Sequence, residues 1–241
     1  MELPSEVSKS NHDSTPAIRP NRPSPTEQID DFLARLPPST TKATTAGPWI
    51  YISGPLPTPK PDIATLVREG THLLRAYEDE AAILRANDNT SELTSLRETL
   101  ERQIFALARE TGVISGKWML FAPPAVVDRW WALVARATAE GELGFGAKVA
   151  TDDGGTWGGG GGGGRSGSGK TRLIAVYTRD YADREDVGRV LGRLVALGMV
   201  FVDGRPVYYK CDAFTYLGIM GRNSYGLRAS LFSSGDVLGG N

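Results

Sequence analysis

The segment Val207–Leu217 carries the most chemically loaded pattern in the chain. In a strand, successive side chains alternate between faces. Tyr208, Lys210, Asp212, Phe214 and Tyr216 would then share one side, and Val207, Tyr209, Cys211, Ala213, Thr215 and Leu217 the other. The odd side suits burial against helices. The even side mixes rings with charge, as a platform for a ligand or for single-stranded nucleic acid does through stacking and phosphate contact. The alternative is a half-exposed strand whose Lys210 and Asp212 meet only water. Downstream, Arg222-Asn223-Ser224-Tyr225-Gly226-Leu227-Arg228 reads as a polar turn before a last strand. Its two arginines either clamp an anion or brace the loop.

A second motif, Gly164-Arg165-Ser166-Gly167-Ser168-Gly169-Lys170-Thr171, satisfies G-x-x-x-x-G-K-[ST]. A phosphate-cradling loop of that form needs a buried strand before it and a helix opening at the Lys-Ser/Thr. Here an unbroken run, Gly158–Gly164, precedes it, and the β-branched, apolar Arg172-Leu173-Ile174-Ala175-Val176-Tyr177 follows. The expectation is a flexible hairpin linker, since 11 of the 16 residues from Gly154 to Gly169 are glycine. The competing reading is a P-loop nucleotide hydrolase dependent on Lys170. Trp130 and Trp131 are adjacent on a helical pattern, about 100° apart, so both cannot face one pocket and they read as core. Asp152-Asp153 has no partner acid or base nearby in sequence, and neither His12 nor His72 sits beside a plausible nucleophile. No catalytic residue, metal or cofactor is expected.

These residues need elements to position them. Trp49–Ile52 is strand-like. Ile63, Leu66, Val67, Gly70, Leu73, Leu74, Tyr77, Ala81 and Leu84 follow helical spacing, as do Leu93, Leu96, Leu100, Ile104 and Leu107, with Ser91 as the expected N-cap. Lys117–Phe121 reads as a strand and Val126–Ala137 as a helix ended by Gly141. Leu143–Val149 is again a strand, placing Lys148 with Gly144 and Gly146 on one face. Arg172–Thr178 is a strand, Val187–Val195 a helix entered through Asp183 and Asp186, and Leu227–Phe232 a last strand. The two strand–helix–strand units imply an α+β fold in which one face of an antiparallel sheet is covered by helices and the other is left free. A parallel nucleotide-binding sheet is the competitor. Residues 1–46, rich in Pro, Ser and Thr, read as a disordered leader with a short helical turn at Ile29–Leu36. Residues 47–235 read as one domain, and 236–241 as a tail.

Charge excludes a strong duplex-DNA binder: residues 1–110 carry 12 Lys/Arg against 16 Asp/Glu, and residues 111–241 carry 15 against 12. With one cysteine, no internal disulfide or cysteine-based zinc site is available. No apolar run approaches a membrane span and the N-terminus lacks a signal-peptide pattern, so the expectation is a soluble protein of the cytoplasm or nucleus.

Six segments carry a resemblance. Ser115–Phe121, Val127-Asp128-Arg129-Trp130-Trp131, Gly146-Ala147-Lys148-Val149, Ala175-Val176-Tyr177-Thr178, Tyr209–Ile219 and Tyr225-Gly226-Leu227-Arg228 resemble the family of the basophilic leukaemia expressed protein. The run Tyr209–Ile219 is the most specific. The resemblance implies a fold similar to the cap-binding translation initiation factor 4E, a curved antiparallel sheet with helices on its convex side. In that factor two tryptophans stack the cap base on the concave face and basic residues hold the phosphates. Trp49 falls at the first stacking position, and Lys148, Arg165 and Lys170 flank a loop similar in place to the phosphate-binding one. The second tryptophan with its glutamate has no clear counterpart, Trp157 being followed by Gly158. The resulting expectation is a non-catalytic protein binding RNA or a nucleotide-like ligand through Trp49, Lys148, Tyr208, Lys210, Asp212, Tyr216, Arg222 and Arg228, with Arg165 and Lys170 as phosphate contacts. A protein–protein adaptor is the alternative.

Overall fold

The structure is a computed structural model that describes residues 20–152 and 171–239. In chain order the elements are α1 (Ile29–Arg35), α2 (Ala43–Ala46), β1 (Trp49–Ser53), α3 (Ile63–Ala86), α4 (Thr90–Glu110), β2 (Gly116–Ala122), α5 (Pro124–Ala139), β3 (Gly146–Ala150), β4 (Arg172–Thr178), α6 (Arg184–Ala196), β5 (Tyr208–Cys211), α7 (Asp212–Tyr216), β6 (Phe232–Ser233) and α8 (Ser234–Leu238). The strands form one open sheet in the order β1-β3-β4-β2-β5-β6, with every pairing antiparallel. The α+β class expected from the sequence therefore holds, and the parallel sheet does not.

Strand alternation sorts the sheet into two faces. Ile50 and Ile52, Ala147 and Val149, Ile174 and Val176, Trp118 and Leu120, and Tyr209 and Cys211 are all buried on one of them. Helices α5, through Val127, Trp131 and Val134, and α6, through Val187, Val190, Leu191 and Leu194, supply the other half of that core. The Trp118 indole N–H donates to the Val187 carbonyl at 3.0 Å, so this large side chain is buried with its polar atom satisfied. Pro124 opens α5, and the Asp183 carboxylate caps α6 by accepting the Asp186 N–H at 3.1 Å. Helices α3 and α4 form a hairpin at the end of the sheet where β2 begins. There Phe105 stacks on Phe214 at 5.4 Å and lies 5.3 Å from Tyr181, and Arg109 pairs with Asp180. The cap of α4 is Asn89, which accepts from the Glu92 N–H, and not Ser91.

Five expectations need correction. The segment Val207–Leu217 is not one strand: pairing ends at Cys211, the Asp212 N–H donates to the Ser115 carbonyl at 2.8 Å, and the chain turns into α7. Burying Phe214 against Phe105 decides the turn, because a continued strand would carry Phe214 away from α4. The last strand is only Phe232–Ser233; before it, Asn223 organises a loop by donating to the Met220 and Leu227 carbonyls at 2.7 and 2.8 Å. The strand read from Leu143 starts at Gly146. Nor is the leader without structure through residue 46. From Pro20 the chain packs on the sheet, with Phe32 of α1 fully buried and Asn21 bonded to β1: its carbonyl accepts from the Tyr51 N–H at 2.9 Å and its side-chain amide donates to the Trp49 carbonyl at 3.0 Å. At the other end α8 is closed by reciprocal Ser233 and Asp236 bonds, so ordered structure continues past residue 235.

Candidate functional site

The second face of the sheet is chemically unlike the first. Register sets its side chains in three cross-strand rows. Trp49 with Ala150, and Leu173 with Phe121, make the first; Tyr51, Lys148, Ala175, Met119 and Tyr208 the second; Gly146, Tyr177, Lys117 and Lys210 the third. Phe121 and Tyr208 are exposed, at 53% and 45%. The third row meets α7, whose first residue places a carboxylate above it.

That carboxylate organises the row. Asp212 accepts from the Lys117 ammonium on one oxygen and from the Ser115 hydroxyl on the other, and Lys117 also donates to the Thr215 hydroxyl at 2.7 Å. Lys117 and Lys210 lie directly opposite each other on β2 and β5, and both are 5% exposed. Lys210 donates to the Ile219 carbonyl at 2.7 Å and lies 3.1 Å from the Met220 sulfur. The expectation that Lys210 is a solvated lysine is therefore wrong: the loop after α7 folds over it. Burial, and next the charge of Lys117, pull its pKa down to about 8. Lys148 sits 4.0 Å above the Trp49 ring centre and 5.8 Å from that of Tyr177. Its pKa is likewise lowered to about 8, by burial first and by Lys117 second, against a smaller opposing pull from Asp212. The phenols of Tyr51, Tyr177 and Tyr216 are raised, each chiefly by burial; Tyr177 and Tyr216 also feel Asp212 and Tyr51.

One glycine fixes part of this site. A Cβ on Gly144 would fall 1.6 Å from the Tyr177 carbonyl oxygen, so the approach of the 141–145 loop to β4 beside Tyr177 requires glycine.

Of the residues expected from the sequence, Trp49, Lys148, Tyr208 and Lys210 lie on this face, and Asp212 and Tyr216 reach it from α7. Arg228 does not join them; it lines a surface crevice of about 300 Å³ with Arg97, Glu98, Glu101, Gly226 and Leu227. Arg222 is exposed at a positive φ of 59° in the loop that Asn223 braces. Arg165, Lys170 and Trp157 lie outside the described residues. After Lys170 the chain forms β4, where a P-loop would need a helix. Cys211 is buried on the helix-covered face, with its thiol pushed up to about 12 by burial, which leaves it a poor nucleophile.

Sequence reasoning missed Lys117, Tyr51 and Tyr177. Parity applied to β1, β2 and β4 would have found all three, since each alternates with a buried aliphatic or aromatic residue. It also missed Arg22, whose guanidinium lies 4.5 Å over the Tyr51 ring; nothing local in the leader signals that contact.

A sequence model of the family described as basophilic leukemia-expressed protein Bles03 matches residues 2–218. The chain belongs to that family. The matched span takes in Trp49, Tyr51, Lys117, Lys148, Tyr177 and Lys210 together with α7, and stops short of Arg222, Arg228 and β6. None of the helices among the described residues is long and apolar enough to cross a membrane. The same residues hold no cluster of His, Cys, Asp and Glu that could bind a metal ion.

Proposed function

We propose that this member of the Bles03 family is a non-catalytic binding protein of the cytoplasm or nucleus that takes RNA or a nucleotide-like ligand on the lysine-bearing face of its sheet. The observation that carries the reading is the alternation of rings and ammonium groups over adjoining strands: Trp49, Tyr51 and Tyr177 around Lys148, with Lys117 and Lys210 in the row beside it. Rings at this spacing offer stacking surfaces, the partly exposed Lys148 offers a phosphate contact, and the buried Lys117 and Lys210 add to the positive field, the combination that holds single strands without base-specific readout. The fold that the family resemblance implies, similar to initiation factor 4E, leads to a sheet face as well, although the second stacking tryptophan with its glutamate has no clear counterpart.

Fluorescence anisotropy of a labelled single-stranded RNA, titrated with protein over a series of salt concentrations, tests the proposal. Affinity is expected to fall with salt, with a slope of about 0.7 per neutralised phosphate, and to weaken in both Trp49→Ala and Lys148→Ala. Failure of RNA and mononucleotides to bind at low salt would overturn it. A protein–protein adaptor is the second reading, favoured by Phe201 and Val202, adjacent apolar residues 65% and 67% exposed in the loop after α6.

A further inference from the structure

Where the third row meets α7, three ammonium groups and one carboxylate share the face: Lys117, Lys148, Lys210 and Asp212. The carboxylate is already engaged by Lys117 and Ser115. Lys148 finds aromatic rings, and Lys210 finds a carbonyl and a thioether, but neither has a carboxylate within ion-pair distance among the described residues. Like charges directly opposite each other on neighbouring strands repel, and largely buried ammonium groups have little water to offset that. On the same part of the face, the hydroxyls of Tyr51, Tyr177 and Tyr216 make no hydrogen bond among the described residues. Burial keeps all three protonated, so each has an O–H to donate.

We propose that this part of the face is a subsite for a phosphate monoester, the terminal dianionic group of a nucleotide or of a nucleic-acid strand, in preference to an internal phosphodiester. The inference rests on the ligand-binding reading above and narrows it. A diester phosphate brings one negative charge, whereas a monoester brings about −1.5 to −2 at neutral pH together with three acceptor oxygens. Only the monoester matches an excess of two cations. Lys148 is the group placed to touch it, being partly exposed and free of carboxylate partners; Lys117 and Lys210 contribute chiefly through their field. Tyr177 and Tyr216 supply neutral donors.

The charged and titratable groups that face Lys148 are Tyr51 from β1, Tyr177 from β4, Lys117 from β2, and Asp212 and Tyr216 from α7. Their combined effect makes the pH response diagnostic. The monoester becomes fully dianionic above about pH 6, and the Lys148 ammonium is lost through about 8. Affinity should therefore rise and then fall with pH, with its maximum between those limits. A diester does not titrate near pH 6 and would give only the fall.

The test compares a 5′-phosphorylated oligouridine with its 5′-hydroxyl twin, alongside uridine 5′-monophosphate and inorganic phosphate, using the full chain. The phosphorylated strand is expected to bind about tenfold more tightly, the scale of one good charge-assisted contact. Lys148→Gln should erase the difference, Lys148→Arg should keep most of it, and Tyr177→Phe should reduce it; thermal melts confirm that each variant is folded. Equal binding of the two strands, or a difference that survives Lys148→Gln, overturns the monoester subsite and leaves the face's RNA binding standing. If no strand or mononucleotide binds, the functional proposal falls. Inorganic phosphate that binds the parent and not Lys148→Gln would then support the subsite alone, and its failure to bind would overturn both.

Discussion

The two faces of the sheet are built from the same strands and differ in almost everything else. On one, Ile50, Val149, Ile174 and Leu120 pack against α5 and α6 with no solvent access. On the other, one residue away along each strand, stand Tyr51, Lys148, Ala175 and Phe121. A period of two therefore partitions the molecule: one parity supplies the free energy of folding and the other is left for chemistry. A variant on the first face should act on stability and spare binding, and a variant on the second the reverse. The instructive exception is the third row of the second face, where Lys117 and Lys210 are as buried as core residues.

The largest effect is expected from Trp118→Ala. It removes the biggest side chain of the packed face, together with its hydrogen bond to the Val187 carbonyl, at a cost of about 3–5 kcal/mol in urea or guanidinium denaturation. A loss below about 1 kcal/mol would mean that the face is not close-packed.

Smaller, and on the opposite face, is Lys117→Met. Removing one partner strands the buried Asp212 carboxylate, with Ser115 still donating to it, so roughly 3 kcal/mol should be lost and part of it regained in Lys117→Met/Asp212→Asn. A double variant no more stable than the single one would show that Asp212 is paired elsewhere. This prediction marks where the partition between faces breaks down, since here a residue of the lysine-bearing face also holds α7 in place.

Legibility of the fold followed the length of each pattern. Helices α3, α5 and α6 repeat their apolar spacing over several turns, and β2 and β4 are continuous apolar runs ended by Pro123 and by a polar turn; both kinds of signal are local. The stretch from Tyr208 to Tyr216 is half strand and half helix. In each half the pattern spans only four or five residues, too few for a period of two to be told from one of 3.6. Lys210 was placed correctly and its environment was not, because the Ile219 carbonyl that holds it arrives only after α7 has turned the chain back. Lys117 went unnoticed for the opposite reason: parity was readable in its strand, but its partner Asp212 is distant in sequence. In the leader the turn around Phe32 is legible, but its burial against the rest of the fold is a long-range contact that a proline-rich composition does not announce.

The smallest expected effect concerns pH, and it separates the faces most finely. Lys148 and Lys210 have folded-state pKa values of about 8, below the ordinary lysine value of 10.5. From about pH 8 to 9 the unfolded chain binds more protons than the folded one, so stability should rise modestly there; above about 9 the Cys211 thiol, kept protonated in the folded chain up to about 12, opposes the gain. Ligand affinity should fall over the same interval. Thermal midpoints and binding constants measured in parallel would thus move in opposite directions; a joint decline would show that the two amines are paired in the folded protein.

The Asn21 clamp on β1 has a consequence for self-association. β1 closes one edge of an open sheet, and an unsatisfied strand edge is a template on which another chain can add itself. By occupying the Tyr51 N–H and the Trp49 carbonyl, Asn21 blocks that edge with a short segment that cannot propagate a sheet. A chain begun after Arg22 would keep every strand and both faces, yet it would present a bare, sticky border. Its failure would be seen as aggregation rather than as unfolding.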